Sequence, residues 1–153
     1  MASPFVPDDF EPPRELVSAQ FRLEPLGPQH NERDHAAWVT SIEHIRATPG
    51  LEDWTWPPAE GMSLEANGRD LARHADDFAK RRGFTYSVLS PDDDEVVGCV
   101  YIYPAADDEH DAAVHSWVRA QDADLDIPLH AAVSRWLSER WPFARPAYAS
   151  REN

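Results

Sequence analysis

The sequence predicts a mixed α+β domain in which helices cover a mainly antiparallel sheet. The segments FTYSVLS (84–90) and EVVGCVYIYP (95–104) are rich in β-branched and aromatic residues. The Pro/Asp turn that separates them predicts an antiparallel hairpin. AAVHSWVRA (112–120) predicts a third strand of the same meander. Apolar residues at spacings of three and four predict helices before and after these strands.

The first half of the chain predicts one strand and two helices. FRLEPL (21–26) alternates apolar and polar side chains, as a half-buried strand does. Residues 30–50 predict a helix whose apolar residues share one face and which ends at a Pro-Gly pair. A loop rich in proline and tryptophan, 51–61, leads to Ser63, a suitable N-cap for a second helix that stops at Gly83.

The second half adds one helix and one strand to the meander. A loop over 119–126 precedes a helix with Pro128 in its first turn, where proline is tolerated. That helix ends near Trp141, and ARPAYASR (144–151) predicts a last short strand. The predicted architecture is therefore a mainly antiparallel, mixed sheet flanked by about three helices.

The length of 153 residues suits one domain with a substantial core. Residues 1–18 carry four prolines among acidic residues, which disfavours a helix interior or a central strand. Phe5, Val6 and Phe10 predict that this lead packs along the domain surface. Residues 19–153 are predicted to form the single domain.

The formal net charge of −14 narrows the classes of partner. It disfavours nucleic acid and anionic membrane surfaces, which need clustered Lys and Arg. It is compatible with a cationic partner such as an amine. Solubility, or an acidic proteome from a salty habitat, explains the charge equally well.

Other bulk features predict a cytoplasmic protein. Cys99 is the single cysteine, which excludes an internal disulfide and fits a reducing compartment. No apolar run approaches the roughly 20 residues of a membrane helix, and the N-terminus lacks the pattern of a signal peptide.

The order of these elements resembles the GNAT superfamily of N-acetyltransferases, in particular the subgroup that acetylates protein N-termini and small amines. FRLEPLGPQHNERDHAAW resembles the opening strand and first helix of that subgroup, and FTYSVLSPDDDEVVGCVYIYP resembles its central hairpin. SWVRA and the helix after it resemble the strand and helix that hold acetyl-CoA. The resemblance covers roughly residues 19–151 and implies the fold more strongly than the activity.

The resemblance also implies where acetyl-CoA would bind. In the family, one strand splays from its neighbour and pairs with the pantetheine arm, and a glycine-containing loop then wraps the pyrophosphate. The implied cofactor-binding residues are Trp117, Val118, Arg119, Ala120, Gln121, Asp122 and Asp124.

The loop departs from the family pattern because carboxylates stand at the glycine positions. Depending on the register, these positions are Asp122 and Asp124, or Asp124 and Asp126. A carboxylate about 4 Å from a phosphate charge costs roughly 1 kcal/mol in water and about 4 kcal/mol at an effective dielectric near 20. The sequence thus predicts that acetyl-CoA binding is weakened.

The family's later elements have no counterpart in the sequence. The family continues into a further helix, which often supplies a tyrosine as general acid, and two more strands. Here the predicted last strand contains Tyr148 and the sequence ends at Asn153, so the C-terminal elements are expected to be missing.

Acyl transfer to an amine needs a base, and His115 is the first candidate because it lies on the third meander strand just before the implied cofactor backbone. Tyr101 and Tyr103 share one face of the adjacent strand and are candidate catalytic donors. A histidine satisfied by a neighbour, and aromatic core packing, are the alternative explanations. Cys99 is interpreted as a small buried apolar residue.

The substrate is predicted to be a small-molecule amine or a peptide N-terminus. Trp54 and Trp56, in the loop that lines the family's acceptor site, could hold a cation over their rings, and Glu109 in an acidic run could attract it. Structural packing of the loop and a solvated acidic run are the alternatives. No set of residues with metal-ligand spacing is recognised, so no metal is predicted.

Three functions remain open from the sequence. The first is an acyl-CoA-dependent N-acyltransferase that acts on an amine. The second is a non-catalytic GNAT-fold protein that has lost CoA binding and either binds a ligand or forms a homodimeric interaction module through an open sheet edge. The third is an isomerase or lyase that uses His115 and the tyrosines in a repurposed cleft.

Overall fold

The structure, a computed structural model, describes residues 4–151 and contains one six-stranded sheet. The strands follow one another across the sheet in chain order: β1 (Leu16–Val17), β2 (Arg22–Pro25), β3 (Phe84–Leu89), β4 (Val96–Tyr103), β5 (Ala112–Val118) and β6 (Pro146–Tyr148). The pairings from β1 to β5 are antiparallel, and β6 runs parallel to β5. The predicted mainly antiparallel, mixed sheet is confirmed.

Helices cover both faces of this sheet. They are α1 (Asn31–Val39), α2 (Ile42–Arg46), α3 (Leu64–Ala79) and α4 (Asp126–Arg140), with short 3-10 segments at Pro28–His30 and Ala120–Leu125. One core contains Leu129 and Val133 of α4, and the other contains Trp38 of α1, Leu71 of α3 and Trp117 of β5. Among the described residues, none of the helices is both long and apolar enough to cross a membrane.

The segment 30–50, expected as one helix, forms two. The break falls at Thr40 and Ser41, which follow α1. The Thr40 hydroxyl donates to the carbonyl of Ala36, and Ser41 Oγ accepts from the backbone N–H of Ala120, 2.9 Å away. Such side-chain bonds compete with the helix ladder. The break therefore ties the helical layer to the segment that follows β5.

The hairpin and meander lie in the predicted places. Ser87 faces Cys99 across β3 and β4, and Tyr101 faces His115 across β4 and β5. Because side chains alternate along a strand, this register puts Cys99, Tyr101, His115 and Trp117 on the face covered by α1 and α3.

The Pro-rich lead contacts the domain at several points. It contributes β1, which pairs with β2, and Val6, whose side chain is buried in the core beneath α4. Phe5 stacks on Phe143 with ring centroids 5.2 Å apart. Proline has no backbone N–H to donate, so the lead cannot form a long helix or strand. It is held instead by one short strand and by side-chain packing.

The sheet opens between β5 and β6. Their pairing covers only Ala112–Val114 of β5, whereas the partnership of β4 and β5 continues from Tyr103 to Gly98. The backbone of residues 115–118 therefore pairs with a strand on one side only, that of β4. Its other side faces the segment after β6.

Candidate functional site

A cavity of about 370 Å³ lies on the sheet face that α1 and α3 cover, beside the middle of α3. The loop 51–61, α3, β4 and β5 each contribute to its wall. Its aromatic and imidazole lining consists of Trp54, Trp56, His74, Tyr101, Tyr103 and His115. Such a small, mostly apolar pocket with a few polar groups is the usual form of a small-molecule site.

The first wall joins the predicted base to two aromatic rings. The ring centroids of Trp54 and His115 are 4.7 Å apart, and those of Trp54 and Tyr101 are 5.4 Å apart. Burial lowers the pKa of His115, and the positive charge of Arg151 lowers it further. The imidazole is therefore neutral near pH 7 and retains a lone pair that can accept a proton or a hydrogen bond.

Tyr101 and Trp56 complete the aromatic part of the cavity. The Trp117 indole N–H donates to Tyr101 Oη at 2.9 Å, which fixes the phenol at the cavity floor. Burial raises the pKa of Tyr101 well above its ordinary value, so this phenol stays protonated. Trp56 packs between Trp38 and Trp117, with ring centroids 5.3 and 6.0 Å away.

The second wall is a polar network between α3 and Tyr103 of β4, of which the sequence assigned only Tyr103 to a site. His74 Nδ1 lies 2.9 Å from Tyr103 Oη, and Tyr103 Oη lies 2.8 Å from Asp77 Oδ2. Asp70 and Arg73, also in the wall, form an ion pair at 2.5 Å. The sequence signal for this network was the spacing of three between His74 and Asp77, which puts both side chains on one helix face.

The implied cofactor loop is helical and internally bonded. The Arg119 Nε–H donates to Asp122 Oδ2 at 2.6 Å, and Arg119 also contacts Glu95. The backbone N–H of Ala120 is taken by Ser41, and that of Asp122 by the Arg119 carbonyl.

The remaining implied cofactor residues divide into two groups. Trp117 and Val118 are buried in the sheet, whereas Gln121 and Asp124 are exposed on the 3-10 segment. Asp122 is directed to the guanidinium of its own loop, so its carboxylate is partly neutralised.

Arg151 fills the opening between β5 and the segment after β6. Its side chain is 3% exposed, and its Nε–H donates to Asp126 Oδ2 at 2.6 Å. Its Nη2 donates to the Ser116 carbonyl at 3.2 Å, and Nη1 donates to that of Ala149 at 2.8 Å. The guanidinium thus bridges the free side of β5 and the first residue of α4.

Two further sequence predictions concern Glu109 and metals. Glu109 lies exposed in the loop after β4 and is not part of the cavity wall. Its backbone N–H donates to the Asp107 carboxylate, which stabilises the loop turn.

Within residues 4–151, no group of three or more His, Cys, Asp or Glu side chains is arranged to hold a metal ion.

Neither a protein-family model nor a curated protein sequence matches the chain. Solved structures do match the chain. A protein from Vibrio cholerae, provisionally described as a ribosomal-protein-serine acetyltransferase, superposes with a TM-score of 0.68 at 15% identity, over 97% of this chain and 78% of its own. The chain has the fold of the GNAT acetyltransferases. The fold that the sequence resemblance implied is confirmed.

Two other solved structures with this fold contain acetyl-CoA or coenzyme A. The microcin C7 self-immunity acetyltransferase MccE, in complex with acetyl-CoA and AMP, superposes with a TM-score of 0.62 at 12% identity, over 84% of this chain and 67% of its own. RimL, a ribosomal L7/L12 α-N-protein acetyltransferase in complex with coenzyme A, gives 0.59 at 15% identity, over 79% and 66%.

At the position that the resemblance implies for acetyl-CoA, Arg151 already occupies polar groups of this GNAT-fold chain. The Ser116 carbonyl on the free side of β5 already accepts from Arg151. Asp126 is the first residue of α4, where a phosphate would bind to backbone N–H groups. Its carboxylate is already paired with the Arg151 guanidinium. Donor binding there would require breaking a buried ion pair.

Proposed function

We propose that the protein is a GNAT-fold ligand-binding protein that takes a small amine with an apolar body into the aromatic cavity. The buried Arg151 carries this proposal, because its ion pair with Asp126 engages groups on the implied acyl-donor side of the fold, whereas the acceptor side is a cavity lined by aromatic rings. The family's acceptor pocket is then the part of the site that this chain uses.

The chemistry of the cavity favours a cation. The rings of Trp54 and Tyr101 offer π faces, and a cation over such a ring gains roughly 0.5–2 kcal/mol depending on its desolvation. The imidazole of His115 adds a hydrogen-bond acceptor. The net charge of −14 attracts cations over a longer range.

Binding of 2-phenylethylamine, measured by calorimetry, tests the proposal. We expect it to bind at least about tenfold more tightly than 2-phenylethanol, which has the same ring and no charge. Trp54→Ala should weaken amine binding by about tenfold, and Trp54→Phe should keep most of the affinity because a π face remains. Equal affinity for the amine and the alcohol would contradict a cation site.

An N-acyltransferase is the second candidate function. The neutral imidazole of His115, next to Trp54 in the cavity, favours it because acyl transfer needs a base beside the amine. The acetyl-CoA and coenzyme A bound to MccE and RimL favour it through the shared fold.

Thermal unfolding with acetyl-CoA separates the two candidates. A cosubstrate at about 100 times its Kd adds about 2.7 kcal/mol, which corresponds to a rise in Tm of about 5 °C or more for a chain of this size. We expect no rise with about 1 mM acetyl-CoA, because Arg151 and Asp126 occupy its place. A rise of that size would establish the donor site and favour the acyltransferase.

A further inference from the structure

His74 has one ring nitrogen engaged and the other available to the cavity. The ring lies in the cavity wall. Its Nδ1 is 2.9 Å from Tyr103 Oη and 3.1 Å from Thr85 Oγ1. Among residues 4–151, the structure gives Nε2 no hydrogen-bond partner, so this nitrogen remains free to bond a ligand.

The neighbours of His74 determine which nitrogen carries the proton. A carboxylate only accepts hydrogen bonds, so the Tyr103 hydroxyl donates to Asp77 Oδ2. The Tyr103 oxygen then accepts from the Nδ1–H of His74, and the Thr85 hydroxyl oxygen is a second acceptor of the same N–H. The Arg82 Nε–H donates to Asp77 Oδ1 at 3.1 Å, so both carboxyl oxygens of Asp77 accept hydrogen bonds. His74 therefore presents Nε2 as a lone pair.

The charges around His74 do not remove this lone pair. Burial lowers the pKa of His74, while the negative charge of Asp70 opposes the shift. Asp70 is itself paired with Arg73, and the positive charge of Arg73 acts against protonation of the ring. Near pH 7 the imidazole is neutral and accepts at Nε2.

We propose that His74 is a specificity-determining residue that accepts a hydrogen bond from the ligand at Nε2, so that the cavity selects primary and secondary amines over quaternary ammonium ions. This inference rests on the proposed function and adds the substrate class. Aromatic rings alone would accept a quaternary ion well. A quaternary ion has no N–H, and it would leave the His74 lone pair desolvated without a donor.

The preference is measured with two ligands that share ring and charge, 2-phenylethylamine and its N,N,N-trimethyl derivative. We expect the primary amine to bind about tenfold more tightly to the wild type. His74→Phe keeps an aromatic ring and should abolish the preference. His110→Phe, in the loop after β4 and outside the cavity wall, is the matched control and should retain it. Circular dichroism confirms that each variant is folded.

The outcomes separate the inference from the proposed function. A preference that persists in His74→Phe, or that is lost in His110→Phe, overturns the role of His74 while leaving amine binding intact. If neither ligand binds, the proposed function fails and the inference fails with it.

A second measurement needs no ligand. Long-range ¹H–¹⁵N spectra of the imidazoles should show the Nδ1–H tautomer for His74. In Tyr103→Phe, which removes the acceptor, the Nε2–H tautomer should gain population. An Nε2–H tautomer in the wild type would overturn the inference even if amines bind.

Discussion

Replacement of Arg151 by alanine is expected to lower the free energy of unfolding by about 3–5 kcal/mol. The change removes the guanidinium from a side chain that is 3% exposed and leaves the Asp126 carboxylate, 20% exposed, without its partner. Asp126 Oδ1 already has no hydrogen-bond partner among the described residues, so the remaining charge would be poorly compensated. Urea unfolding monitored by circular dichroism gives the value.

Two variants show whether the loss comes from the uncompensated charge. Arg151→Met combined with Asp126→Leu removes both charges and should recover most of the stability, because replacing a buried pair by apolar residues is often near neutral. Arg135→Ala, on the exposed face of the same helix, removes a pair at 3.5 Å and should cost less than about 1 kcal/mol. An effect of Arg151→Ala as small as that of Arg135→Ala would contradict a buried bridge.

Asp34→Asn is expected to stabilise the protein by about 2–3 kcal/mol above neutral pH and to leave it nearly unchanged in acid. Asp34 is 4% exposed, and its Oδ2 accepts from Asn67 at 3.1 Å. Burial raises the pKa of Asp34 to about 6, against which the hydrogen bond from Asn67 acts only partly. The folded state therefore prefers the protonated carboxyl.

The direction in which stability changes with pH follows from the raised pKa of Asp34. The stability that protonated Asp34 contributes is fully present below the ordinary carboxyl pKa, and it is lost as the pH rises through about 6. Unfolding of the wild type and Asp34→Asn at about pH 3 and about pH 8 measures the difference. Asp108→Asn, in an exposed loop, is the control and should stay within about 0.5 kcal/mol of the wild type at both. A constant difference across pH would show that Asp34 does not carry the effect.

The sheet could be predicted closely because its signal is local. The strands 84–90, 95–104 and 112–120 carry runs of β-branched and aromatic residues, and the observed β3, β4 and β5 lie within these ranges. The helix expected over 30–50 was wrong in one respect, since its break depends on Ser41 accepting from Ala120, a contact 79 residues away. Such a partner cannot be inferred from helical periodicity.

The site was predictable only where the sequence carries a local signal for its residues. His115, Trp54 and Tyr101 were chosen from separate arguments, and the structure places their rings side by side, although their roles stay predictions. The sequence does not identify His74 as a site residue, because the hydrogen bonding of its ring depends on Tyr103, 29 residues away. Arg151 was not chosen because an isolated arginine near the last strand gives no sign of the aspartate it meets.

Both edges of the sheet are short, which bears on behaviour at high concentration. β1 has two residues and β6 has three, and beyond β6 a carbonyl of β5 is already bound by Arg151. A strand from another molecule would find few free backbone groups at either edge, and the acidic surface would repel it. Short and partly occupied edges of this kind disfavour edge-to-edge pairing between molecules.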